Sequence, residues 1–225
     1  MGSQEDVRPA FYALAPGGWR DYVTLLHPPY TLWHLSYVAV GAAVAPRFHL
    51  DRMLWGLAAF FLAMGVAAHA LDELKGRPLR TRIPSAALVA VAVLTLAGAV
   101  AIGIGAAVAW GWGLLAFVAV GAVIVPAYNL ELAFHTDLGF AICWGAFPAL
   151  TGYFVEAQTL RPEALAAAAY ALLLSLAQRG LSTPVRAARR GHGTTAGVEP
   201  LERALRLLTW AAVALAVALV AARLR

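Results

Sequence analysis

Charge is what this 225-residue chain has least of. Only 13% of its residues are Asp, Glu, Lys or Arg, about half the share of an ordinary soluble domain. With 61% hydrophobic residues beside 20 glycines, there is too much apolar surface for the interior of a soluble fold this size. A typical soluble enzyme and a disordered chain are both excluded. Cysteine is nearly absent: Cys143, inside an apolar run, is the only one. A disulfide scaffold, a CxxC pair and a zinc finger are therefore ruled out within one chain. The acidic start lacks the charged lead and early apolar core of a cleavable signal peptide. Asp6 stands where a myristoylation signal needs Ser or Thr.

What is present suits a bilayer. Seven apolar stretches near the length of a transmembrane helix are expected at about 31–46, 53–71, 85–109, 114–128, 138–155, 162–176 and 205–222. Trp110-Gly111-Trp112-Gly113 divides the third from the fourth. The expected fold is all-α: a single polytopic bundle, with a tail at 1–17, a six-helix core at 18–181, a polar mobile loop at 182–204 and a last helix at 205–225. Alanine and glycine crowd every span, which predicts close helix packing. Residues 18–26 read as an interfacial helix stopped by Pro28-Pro29.

The net charge of +5 would hint at nucleic acid in a soluble protein. Here the arginines lie between apolar runs, so membrane lipids, not nucleic acid, are the expected partners. One set of alternate loops carries 12 of the Lys and Arg residues and the other carries 5. By the positive-inside rule the N-terminus and the loops after the second, fourth and sixth spans are cytoplasmic, in a multi-pass protein of the cell membrane.

The polar residues gather on that same side. His69, Asp72 and Glu73 are spaced i, i+3, i+4, one helix face, and Lys75, Arg77, Arg80 and Arg82 follow. The next loop on that side brings Asn129, Glu131, His135 and Asp137, and the one after it brings Arg179. Carboxylates beside guanidinium groups suit a divalent metal with a phosphate or diphosphate ligand. His34 lies inside the first span, where an ionisable group is costly and often functional. As readily, these groups are the solvated ends of helices. Trp33, Trp55, Trp110 and Trp112 read as interfacial anchors.

Four stretches in order resemble the UbiA-type intramembrane prenyltransferases, nearest the menaquinone branch. They are His27-Pro28-Pro29-Tyr30, His69-Ala70-Leu71-Asp72-Glu73 followed by Gly76-Arg77-Pro78-Leu79, Pro126-Ala127-Tyr128-Asn129, and the run from Gly145 to Phe154. The resemblance implies Mg²⁺ and an isoprenyl diphosphate held by two aspartate motifs, with the allylic cation alkylating a lipid or quinone-type acceptor. On that reading Asp72, Glu73 and Glu131 ligate metal, while His69, Asp72, Glu73, His135 and Asp137 form the catalytic set. Lys75, Arg77, Arg80, Arg82, Arg179 and Asn129 hold phosphate. The chain departs from the family at the second motif, where Gln178-Arg179-Gly180-Leu181 carries no carboxylate. A non-catalytic relative binding an isoprenoid, quinone or carotenoid, or serving as a complex subunit, is the alternative. A seven-helix metal hydrolase lacks its HxxxH pair here, and a retinal pigment lacks its lysine in the last span.

Overall fold

The computed structural model describes residues 8–133, 135–191 and 197–225. Among them there are helices and no strands: α1 (Trp19–Leu25), α2 (Pro28–Val44), α3 (Leu50–Leu74), α4 (Ser85–Trp110), α5 (Leu114–Asn129), α6 (Asp137–Ala157), α7 (Pro162–Arg189) and α8 (Val198–Arg223). Five of these, α3, α4, α6, α7 and α8, are long and apolar enough to cross a membrane. The other two long rods are shorter, 17 residues in α2 and 16 in α5.

The centre of the bundle is α2. Pro28 and Pro29 start it, where a missing N–H costs nothing. Its side chains are buried nearly all round, and α6 and α8 pack against it most extensively. Trp33 donates from Nε1 to the Tyr37 hydroxyl at 2.6 Å, and Ser175 of α7 donates to the same oxygen at 3.2 Å. Small residues set the spacing. A Cβ on Gly41 would collide with the Ala149 carbonyl, and one on Gly152 with the Val38 carbonyl. The two glycines thus let α2 and α6 approach backbone to backbone. Large apolar side chains on the outer helices, such as Leu94, Val108, Leu173 and Val217, point outward and remain exposed.

Two helices contain a π segment, Phe61–Ala68 in α3 and Ile142–Ala146 in α6. A widened turn rotates the residues that follow it and is often found at functional sites. In α3 it directly precedes His69, and in α6 it carries Trp144.

The Trp110–Gly113 break falls where expected. Gly111 takes φ 152°, open to glycine alone, and the Gln158 side chain fills the space a Cβ would occupy. Two expectations need correction. The mobile loop at 182–204 is largely helix: α7 runs on to Arg189 through Pro184, and α8 begins at Val198. Residues 192–196 of that stretch lie outside the described residues. A proline removes one intrahelical hydrogen bond, and here packing compensates: Ser182, Val185 and Ala188 are buried along the same face. The sixth span is correspondingly longer than 162–176. The described part of the tail, 8–17, packs against the helices. Ala13 is buried, and Leu14 donates its N–H to Thr24 Oγ1 at 3.0 Å.

Candidate functional site

A chamber of about 370 Å³ opens between the ends of α2, α3, α5 and α7, with residues 9–12 laid across it. It gathers many of the residues singled out from sequence: His69, Asp72, Lys75, Asn129, Glu131, His135 and Arg179. His34, from the middle of α2, reaches its wall.

Five candidates do not line it. Glu73 is fully buried and turned into the loop that follows α3. Its Oε1 accepts from the Thr81 N–H and hydroxyl, each at 2.8 Å, and its Oε2 from the Leu79 N–H at 2.9 Å. A carboxylate holding three such bonds is a structural clamp, so its expected roles in metal binding and catalysis are corrected. Arg77 is likewise spent on the loop, donating to the Ile83 carbonyl at 2.6 Å and to Ser85 Oγ at 2.8 Å. Arg80 and Arg82 are exposed outside the chamber. Asp137 lies outside the lining, paired with Arg179 at 2.7 Å. None of these four lines the chamber in which phosphate binding or catalysis was expected of them. For Glu73, Arg77, Arg80 and Arg82 the cause is shared: a helix-face argument ends at Leu74, and the loop beyond it folds back on Glu73.

Arginines expected to lie in the mobile loop take their place. Gln178, Arg179, Ser182, Val185, Arg186 and Arg189 line the chamber as one stripe of α7, continued by Arg190 at its C-terminal cap. Helical spacing of Arg179, Arg186 and Arg190, seven and four residues apart, was the signal in the sequence. Three ion pairs frame the rim: Lys75–Glu131 at 3.8 Å, Arg179–Asp137 at 2.7 Å and Arg189–Glu202 at 2.6 Å. Arg186 and Asp72 stand outside them. Arg186 is half-buried, with Thr183 Oγ1 at 3.4 Å.

Imidazoles and phenols form the opposite wall. His27 stacks on His69, ring centres 4.1 Å apart. Tyr12 lies 2.6 Å from His27 Nδ1. Burial pushes the Tyr12 phenol well above its usual range, so it stays a donor. Burial, then neighbouring His69 and Arg186, push the His27 imidazole well below its usual range, so it is neutral and accepts. His69 Nδ1 lies 3.0 Å from the Gly65 carbonyl and must donate to it, which leaves Nε2 as the acceptor. Three further side chains of the wall are deeply buried, and each carries a polar atom without a partner among the described residues: His34 Nδ1, the Tyr128 hydroxyl and Gln178 Oε1.

An apolar cavity of about 100 Å³ lies deeper, bounded by α3, α4, α5 and α6. Met64 and Trp144 line both spaces.

The fit to Mg²⁺ is poor. Magnesium takes oxygen ligands in near-octahedral geometry. Glu73 is committed to its loop, Asp137 is paired with Arg179, and Glu131 lies beside Lys75. Among the described residues no group of three or more His, Cys, Asp or Glu could hold a metal ion. No family model matches the chain, and no curated protein or solved structure matches it significantly.

Proposed function

We propose that this chain is a UbiA-like membrane protein that binds a polyprenyl diphosphate or a closely similar anionic amphiphile. Its seven long helices cross the cell membrane, with the chamber facing the cytoplasm. One observation carries the reading. A chamber rich in guanidinium groups shares the wall formed by Met64 and Trp144 with an apolar cavity among the outer helices. A charged head joined to an apolar tail matches that pairing of environments. The buried polar atoms of His34, Tyr128 and Gln178 also favour a polar guest, since each costs about 1–3 kcal/mol while unsatisfied.

Prenyl transfer to a lipid or quinone-type acceptor is the chemistry this site would support. The allylic C–O bond breaks, the diphosphate leaves with the bonding pair, and the acceptor forms the new bond to carbon. Arg186 would hold the leaving group, and the π faces of Tyr128 and Trp144 suit a developing carbocation. His69 Nε2, a neutral acceptor, could take the acceptor's proton.

The test is binding followed by turnover. The detergent-purified chain is expected to gain thermal stability with geranylgeranyl diphosphate and to lose that gain when inorganic pyrophosphate is in excess. A folded protein that responds to no polyprenyl diphosphate would sink the reading. A non-catalytic isoprenoid or quinone carrier is the second reading, favoured by the withdrawal of Glu73 into its loop. Binding without any prenylated product across a panel of quinone-type acceptors selects it.

A further inference from the structure

If the chamber receives a diphosphate, something must neutralise it. We propose that the guanidinium stripe of α7, centred on Arg186, does so directly and that no divalent metal is required. This inference rests on the reading of the chamber as a polyprenyl-diphosphate site and concerns only how the anion is held.

The carboxylates that a metal clamp needs are engaged elsewhere. Glu73 accepts three hydrogen bonds from residues 79–81, and Asp137 is held by Arg179 outside the chamber. Glu131 faces Lys75, which leaves Asp72 as the one lining carboxylate outside an ion pair among the described residues. With one free carboxylate, a magnesium ion would depend on water and the diphosphate itself for the rest of its coordination, whereas the guanidinium groups of the wall belong to the chain.

The wall is also positive. Lys75, Arg179, Arg186, Arg189 and Arg190 line the chamber against Asp72 and Glu131. With Asp137 on Arg179 and Glu202 on Arg189 included, one formal positive charge remains in excess. A diphosphate ester, with roughly three negative charges near neutral pH, would compete with those rim carboxylates for the guanidinium groups.

The geometry supplies the contacts. Arg179 and Arg186 recur along one face of α7 and Arg190 caps its end on the same side, all three lining the chamber where an anion would lie. A guanidinium fork binds two oxygens of such an anion at once, which an ammonium cannot. Arg186 is half-buried, outside the rim ion pairs and, among the described residues, tethered only to Thr183 Oγ1. That arrangement leaves its fork open toward the chamber.

The probe is geranylgeranyl diphosphate, titrated by calorimetry into detergent-purified protein in excess EDTA and again with Mg²⁺ at millimolar concentration. Binding is expected in EDTA, with an affinity that Mg²⁺ changes by no more than about threefold. R186Q should weaken it about tenfold or more, as loss of a bidentate charge-assisted contact implies, and R186K should recover part of the loss. Binding that vanishes in EDTA and returns with Mg²⁺ would overturn the inference and leave the proposed function standing. Binding in neither condition would remove the proposed function itself. Undiminished binding by folded R186Q in EDTA would also overturn the assignment, and the EDTA comparison on the unaltered chain decides the metal question if R186Q does not fold.

Discussion

Glu73 shows how much a single side chain's surroundings decide. Its position beside Asp72 suggests a metal ligand, yet it braces the turn at 79–81 from inside. E73A would strand two backbone N–H groups and the Thr81 hydroxyl in a buried place. The expected cost is roughly 3 kcal/mol, read as a lower melting temperature with or without Mg²⁺. D72A, at a chamber wall, should leave the melting temperature nearly unchanged and alter binding instead. If E73A melts like the parent protein, the clamp is wrong. His27 supports a second prediction. Its imidazole is held neutral because burial and His69 lower its affinity for protons. An unfolded chain takes up that proton below about pH 6.5, and the folded one does not. The contribution to stability is therefore complete above that pH and is lost as the pH falls. His27 can protonate once the Tyr12 cover lifts, so acid favours that opening, and residues 8–14 should gain amide exchange and become open to protease near pH 5. Unchanged protection there would count against this account.

At the scale of elements, the two π segments and the length of α7 position the site. The segment in α3 ends where His69 begins, and the one in α6 brings Trp144 between the two cavities. Continuation of α7 past Pro184 turns residues 179–190 from a loop into one side of the chamber. The packing of α2 on α6 holds the wall that carries His34. Gly152 and Gly41 face opposing carbonyls there, and a larger side chain has nowhere to go. G152L is expected to cost at least the roughly 1–3 kcal/mol typical of overpacking. It should appear as aggregated or degraded protein by size exclusion. G180A, where a Cβ meets open space, is the matched control and should behave like the parent. A monodisperse G152L of normal stability would refute the close crossing.

For the whole molecule, the distribution of basic residues implies an orientation. With Cys143 replaced by Ala, single cysteines at 80 and 161 should label from opposite faces of sealed vesicles, position 80 from the cytoplasmic one. Labelling of both from one face would overturn the arrangement and, with it, the proposal that the chamber faces the cytoplasm. Much of the architecture was legible in residue order. The Trp110–Gly113 break, the Pro28-Pro29 start and the apolar runs correspond to helix ends and helix bodies. Legibility failed where polarity had two causes. Residues 182–190 are polar because they line a cavity, and composition alone reads such a stretch as solvent-exposed loop. The same ambiguity hid Tyr12 and His27, in a segment with no periodic pattern.

By itself the sequence determined that this is an all-helical chain of membrane-length apolar segments, with its polar chemistry concentrated at one end. Hydropathy and charge are sums over local residues and survive without coordinates. Only the tertiary structure decided which polar groups serve the site and which serve the fold. Asp72 and Glu73 are adjacent, and Arg77 and Arg186 are chemically identical. What separates them is the partner each meets across the chain, and a hydrogen bond of under 3 Å between Glu73 and residues 79–81 depends on a backbone path that local preferences do not specify.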